Sequence, residues 1–184
     1  DDLSKFDLTT FSALLIELFE NRVAGVLHTT NDETGDRTIA TSGTSTLVYG
    51  EDKIVEELLS LNFEISMKSF FQTNPKSAEK LYKKVIDYAL EKKDEIEDSI
   101  VLDLFCGTGT IGQILASRTD NVKIVGVDIV ASAIDDAKEN AKRNHISGLE
   151  FYAADVGKFL NEHPKFQNKI HTLILDPARA GIAP

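Results

Sequence analysis

Cysteine is almost missing from this 184-residue chain, where Cys106 is the only one. A single thiol closes no intramolecular disulfide, and it excludes a cysteine-ligated iron–sulfur cluster or Cys-rich zinc site built from this chain alone. Histidine does not fill the gap. His28, His145, His163 and His171 fall at no metal-ligand spacing, so we read them as structural or surface groups and expect no metal. Long hydrophobic runs are lacking too: no apolar stretch approaches the ~18 residues of a membrane span. The opening DDLSKFDLTT has neither the basic start nor the apolar core of a signal peptide. No membrane partner and a cytoplasmic location are the expectations. Positive charge is scarce in the front half, with 11 Lys/Arg against 20 Asp/Glu in residues 1–98 and 9 against 10 in residues 99–184. Phosphate contact rests on basic surface, so an RNA partner would have to be met by local patches or by parts outside this sequence. There is no internal repeat and no low-complexity tract.

What is present reads as an ordinary globular protein, 42% hydrophobic and 27% charged. Phe11, Leu14, Leu15, Leu18 and Phe19 follow helical spacing behind a cap at Thr9 or Thr10. VAGVLHTT (23–30) and RTIAT (37–41), around a turn containing Gly35, predict a hairpin, and STLVY (45–49) a third strand. Ile54, Leu58 and Leu59 predict a helix over 51–60, and NFEISM (62–67) alternates like a strand. Residues 1–68 thus read as a small α+β subdomain.

Residues 69–184 read differently. Asn74 is a suitable N-cap and Pro75 suits the first helical position, ahead of an apolar stripe at Leu81, Val85, Tyr88 and Ala89. After the acidic segment 94–98, strands at 99–104, 122–127, 149–152 and 170–175 alternate with helices near 110–117, 131–144 and 155–162. That alternation predicts an α/β fold with a parallel sheet of Rossmann type. Four strands are few for such a sheet, so a C-terminally incomplete piece of a longer protein is expected.

The stretch IVLDLFCGTGTIG (100–112) carries the chemistry. An apolar strand ends at Asp103, and glycines follow at 107, 109 and 112, as at the carboxyl edge of the first strand of a cofactor-binding sheet. Gly107, Gly109 and Gly112 match GxGxxG, and Asp128 lies about 20 residues on, placed to accept from two ribose hydroxyls. That pattern fits NAD as well as S-adenosylmethionine. Asp103 separates them: a carboxylate there needs a cationic or hydrogen-bonding partner and would repel a pyrophosphate at the helix N-terminus. The ammonium and sulfonium of S-adenosylmethionine suit it. Cys106, a lone cysteine in the loop, reads as a small packing residue.

SFFQTN (69–74), VLDLFCGTGTIG (101–112), IVGVDIVASAIDDAKENAKRN (124–144) and LILDPARAG (173–181) occur in that order. Together they resemble the RNA 5-methyluridine (uracil-C5) methyltransferases, class I enzymes that use S-adenosylmethionine on tRNA or large-subunit rRNA. The resemblance implies addition of a cysteine thiolate to uracil C6, methyl transfer to C5, loss of the C5 proton and elimination of the cysteine. It implies cofactor contacts at Gln72, Phe105, Thr110, Asp128 and Asp155, with Thr110 standing where some members have Asn. Asp176 corresponds to the acid that pairs with the polar edge of the uracil, and Phe70 to an aromatic beside the flipped base. Arg179 is placed to pair with Asp176 or with RNA phosphate. The family's nucleophilic cysteine and its base, a Glu, match no residue of this sequence, and Cys106 does not correspond to the nucleophile. This piece alone is therefore expected to be inactive. Alternatives are a class I methyltransferase acting on another base or on protein, a catalytically dead RNA-binding relative, and a NAD-dependent oxidoreductase.

Overall fold

The computed structural model describes residues 6–30, 44–67, 69–91, 99–119, 122–177 and 181. The strand expected at 37–41 with its Gly35 turn, the acidic segment 94–98 and Arg179 lie outside these described residues. Contacts divide the chain into two units, residues 1–54 with 66–68, and residues 55–65 with 69–184. Among the described residues no helix is long and apolar enough to cross a membrane.

In the first unit, α1 (Leu8–Phe19) takes its N-cap from Asp7 rather than from Thr9 or Thr10. The Asp7 carboxylate accepts from both backbone N–H groups at 3.1 Å and from the Thr10 hydroxyl at 2.6 Å. Phe11, Leu14, Leu18 and Phe19 remain exposed along this helix. β1 (Gly25–Thr30) pairs antiparallel with β2 (Thr44–Gly50).

Residues 51–60 do not form the expected helix. They supply β3 (Lys53–Leu58), which pairs with β4 (Leu61–Ser66) across the two-residue turn Leu59-Ser60. Both turn residues have positive φ, 51° and 70°, the type I′ geometry whose twist suits a tight hairpin. Such turns favour Asn-Gly, so Leu-Ser carries no turn signal, and the Leu58-Leu59 doublet fits helical spacing equally well. Leu58 and Phe63 are completely buried in the core of the second unit. That burial offsets the ~1–2 kcal/mol that a side chain at positive φ costs.

α2 (Pro75–Leu90) starts as its sequence predicts: the Asn74 side chain accepts from Ser77 N–H at 3.1 Å and Pro75 occupies the first turn. Its buried face is rotated from the expected one. Ala78, Tyr82, Ile86 and Ala89 point inward, whereas Leu81 and Tyr88 are exposed. The two rows sit one residue apart on the wheel, and both are apolar. Lys84, with its ammonium 4.5 Å from the Tyr88 ring centre, covers the surface row.

The remainder alternates strictly: β5 (Ile100–Leu104), α3 (Thr110–Ala116), β6 (Lys123–Asp128), α4 (Ala131–Arg143), β7 (Leu149–Ala153), α5 (Val156–Glu162), a 3-10 turn at Pro164–Phe166, and β8 (Ile170–Leu175). The four strands form one parallel sheet in the order β7-β6-β5-β8. Sequence order reverses between β5 and β8, and open α/β sheets bind ligands in the crevice outside such a switch point. Val101, Ile124 and Ile174 face a core shared with α2 and α3. Ile100, Leu102, Leu104, Val125 and Val127 face the other layer, with Phe159 and Phe166.

Candidate cofactor site

Side chains alternate along a strand, so every second residue after Val101, Ile124 and Ile174 returns to the face those three occupy. Asp103 lies two residues after Val101, Asp128 four after Ile124, and Asp176 two after Ile174. Three carboxylates therefore share the α2/α3 face of the sheet at its carboxyl edge. Asp103 pairs in register with Gly126 on β6 and Ile174 on β8, at the switch point.

Asp103 is 1% exposed, and neither of its oxygens has a hydrogen-bond partner of normal geometry. Burial pushes its pKa up to about 7; the nearby Gly112 amide opposes this, while Asp176 and Asp128 add to it. A buried acid without a charged partner costs several kcal/mol when ionised, and no cation among the described residues acts on Asp103, which is a reason to look for one in a ligand.

Between β5 and α3 the chain turns through three residues of positive φ: Phe105 (61°), Gly107 (53°) and Gly109 (69°). The glycines differ in purpose. A Cβ on Gly109 would lie 2.6 Å from the Phe151 ring, and one on Gly112 would lie 3.3 Å from Ile124 and 3.4 Å from Asp103 Oδ2, so those two serve close packing. A Cβ on Gly107 would meet nothing within 4 Å. Gly107 is needed for its backbone conformation, facing open space where a ligand can approach. Phe105, strained in the same region, is half-buried against the opposite layer.

Asp128 holds this loop. Its Oδ2 accepts from Gly107 N–H at 2.9 Å and its Oδ1 from Val130 N–H at 2.9 Å. A carboxylate offers about four acceptor sites, so these two bonds leave room for a diol. Thr110 is buried, and its hydroxyl bonds with that of Thr108 at 3.1 Å, inside the loop. Asp155 is exposed and caps α5, accepting from Lys158 N–H at 3.2 Å. Gln72 is half-buried in the segment ahead of α2, and its side chain hydrogen-bonds with Tyr82. Phe70 is exposed, whereas Phe71 packs 6.0 Å from Phe63. Asp176 is exposed just past β8. The Cys106 thiol is pushed well up by burial and then by Asp103 and Asp128, and a Cβ on Gly126 would touch its sulfur at 3.0 Å. It is a packing group.

Two residues escaped the sequence reading. Gln113, completely buried, donates to Thr108 O at 3.1 Å and Ala137 O at 3.3 Å, joining the glycine loop to α4. Tyr82 brings a buried hydroxyl to the acidic face. A polar residue in an otherwise apolar inward row is the signal for both.

A family described as a methyltransferase domain matches residues 96–180. An uncharacterized RNA methyltransferase of Clostridium acetobutylicum is 39% identical over 180 residues, covering 97% of this chain and 37% of its own length. Another, from Fusobacterium nucleatum, is 40% identical over 136 residues, covering 74% of this chain and 28% of its own. Among solved structures, the tRNA (uracil-54, C5)-methyltransferase of Pyrococcus abyssi in complex with S-adenosyl-L-homocysteine has a TM-score of 0.65 at 26% identity, covering 100% of this chain and 38% of its own. An S-adenosylmethionine-dependent methyltransferase from Agrobacterium tumefaciens shares the fold, with a TM-score of 0.54 at 19% identity over 81% of this chain and 44% of its own.

Fold and family match define a class I methyltransferase domain, whose cofactor is S-adenosylmethionine. Within that class the chain belongs to the family of the RNA methyltransferases it matches. It spans little more than a third of their length, 37% of the first two. The residues present suit the cofactor. Asp103 offers a buried negative charge to a cationic ligand, Asp128 offers free lone pairs to a ribose, and Gly107 leaves the approach clear.

Proposed function

We propose that the chain is the cofactor-binding part of an RNA uracil-C5 methyltransferase acting on tRNA or rRNA. The observation that carries the reading is the orphaned Asp103 carboxylate on the same sheet face as Asp176, at the switch point between β5 and β8. S-adenosylmethionine supplies, when bound, an electrophilic methyl group on a sulfonium. In this reading Asp103 attracts the cofactor's positive charge, Asp128 accepts from the ribose hydroxyls, and Gln72, Phe105, Thr110 and Asp155 complete its contacts. Thr110 contributes mainly by shaping the loop, since its hydroxyl is turned toward Thr108. Asp176 accepts from the polar edge of a uracil, and Phe70 offers an exposed aromatic face to a base taken out of its stack.

The chain's own chemistry ends there. Uracil C5 becomes nucleophilic when a thiolate adds to C6, and Cys106 cannot be that thiolate, because burial and two neighbouring acids keep it protonated. Isothermal titration with S-adenosylhomocysteine and with NADH tests the cofactor assignment. Binding of S-adenosylhomocysteine is expected, while binding of NADH alone overturns the assignment in favour of a dinucleotide enzyme.

A further inference from the structure

Positive charge in the acidic half of the chain is gathered on α2. Of the 11 Lys/Arg in residues 1–98, this helix holds Lys76, Lys80, Lys83 and Lys84, against two acids of its own. With 3.6 residues per turn the four lysines fall within about 100° of one another, on the side away from the buried row of Ala78, Tyr82, Ile86 and Ala89. All four are exposed, and they extend over about 12 Å of helix at 1.5 Å per residue. Among the described residues none of them is in an ion pair; those pairs use Lys123, Arg143 and Lys165. Glu79 is engaged at the β3–β4 turn, accepting from Leu59 N–H at 3.1 Å. The other acid, Asp87, lies toward the far end of the helix.

Helix stability does not account for this placement. Lys76 stands in a first turn that holds no acid, where a cation opposes the helix dipole. Lys76, Lys80 and Lys84 follow one another at i, i+4, a spacing at which like charges repel. A polyanion relieves both costs. The stripe also begins beside the site, since Phe70, exposed, lies six residues before Lys76 with half-buried Gln72 between them. At its other end Tyr88 is exposed, with the Lys84 ammonium 4.5 Å from its ring centre. Ammonium groups in a row with an aromatic ring among them suit a single-stranded nucleic acid, whose phosphates meet the charges and whose bases stack. An acidic chain repels RNA as a whole, so an attractive contact has to be local.

We propose that the exposed face of α2 is an RNA-docking surface, on which Lys76, Lys80, Lys83 and Lys84 contact the phosphates of the strand next to the target uridine. Its place beside a uridine rests on the uracil-C5 reading, whereas the binding of RNA by the stripe does not. Contacts of this kind fix position and carry no base preference. Fluorescence anisotropy of a labelled single-stranded oligouridine, from about 20 to 200 mM KCl, tests the surface. Four phosphate contacts on a single strand are expected to give a slope of log K against log salt near −3, at about −0.7 per contact. The double variant Lys80→Glu/Lys84→Glu is expected to bind at least tenfold more weakly at the lowest salt, with the slope flattened by about 1.4. A matched pair on α4, Lys138→Glu/Lys142→Glu, changes net charge equally and is expected to leave the affinity within about twofold. S-adenosylhomocysteine binding is expected to be unchanged in the α2 variant. Equal losses in the two variants, no RNA binding by the wild-type chain at low salt, or displacement of the RNA by oligoglutamate of equal charge each overturn the proposal. Loss confined to the α2 variant, in a chain that binds no S-adenosylhomocysteine, upholds the surface and sinks the cofactor reading instead.

Discussion

Asp103 makes a residue-scale prediction with a defined sign. Its pKa is about 7 in the folded chain against the ordinary 3.8. Between those values the folded state keeps a proton that the unfolded chain has released, so stability falls as pH rises through that window. The unliganded protein is therefore expected to lose thermal stability from about pH 4 to 7. Asp103→Asn, which cannot ionise, removes that part of the loss. The cationic ligand reverses the preference: cofactor affinity is expected to rise with pH up to about 7, with a proton released on binding near pH 6. Calorimetry in buffers of different ionisation enthalpy reads that proton. The same Asn variant is expected to bind cofactor at least tenfold more weakly, since a charge-assisted bond contributes ~1.5–3 kcal/mol. Two glycines give a contrasting pair. Gly107→Ala adds a methyl that meets nothing, so it is expected to cost only ~1–2 kcal/mol of backbone strain while obstructing the ligand. Gly126→Ala drives a methyl to 2.6 Å from the Phe151 ring and 3.0 Å from Cys106 Sγ. Overpacking of this kind costs ~1–3 kcal/mol. Thermal melts with and without S-adenosylhomocysteine separate the two: the first variant loses the ligand-induced shift, the second loses baseline stability.

At the scale of elements, the β3–β4 hairpin is fastened to α4 by two asparagines, Asn140 within the helix and Asn144 at its C-cap. Asn140 accepts from Glu64 N–H at 2.7 Å and donates to Glu64 O at 3.0 Å. One turn later Asn144 does the same for Asn62, at 2.9 and 3.0 Å. Side-chain amides thus imitate a neighbouring strand along the edge of β4. Arg143 adds an ion pair to Glu64. Asn140→Ala removes both of these part-buried bonds to the Glu64 backbone and is expected to cost ~2 kcal/mol, or ~4–8 °C in thermal midpoint for a chain of this size. The hairpin lies just ahead of the Phe70–Gln72 segment, so loss of this clamp is also expected to weaken S-adenosylhomocysteine binding. This arrangement was illegible in the sequence for a physical reason: the asparagines lie about 80 residues from the backbone they serve, and the hairpin turn uses Leu59-Ser60, which carries no turn chemistry. The same holds for α2, whose two apolar rows differ by one residue of rotation. Local periodicity marks the helix there but leaves the choice of buried row to the tertiary contacts. Asp7 shows the milder case, a cap displaced by two or three residues because an acid outcompeted the threonines beside it.

For the molecule as a whole, β5 to β8 and their helices were legible in the alternation of apolar runs with helical spacing, because buried parallel strands are short continuous hydrophobic segments with conspicuous glycine turns. The acids at their ends were equally legible, since an ionisable group closing an apolar run stands out. The convergence of Asp103, Asp128 and Asp176 on one face depends on register between strands, which the structure supplies and no local pattern contains. At this scale the central prediction joins binding to silence. S-adenosylhomocysteine at a hundredfold excess over its dissociation constant is expected to stabilise the chain by ~2.7 kcal/mol, raising the thermal midpoint by ~5–10 °C, while NADH leaves it unchanged. Incubated with labelled S-adenosylmethionine and either tRNA or rRNA transcripts, the same chain is expected to transfer no methyl group. Its one thiol is half-buried, held protonated by desolvation and two neighbouring acids, and close to Gly126, and uracil C5 stays unreactive until a thiolate adds at C6. Turnover by the unmodified chain would mean that C5 is activated by some other group, and Cys106→Ser would then identify the source. Loss of that turnover in the serine variant would point to a loop that opens and exposes the sulfur, whereas retained turnover would require chemistry without a thiol adduct.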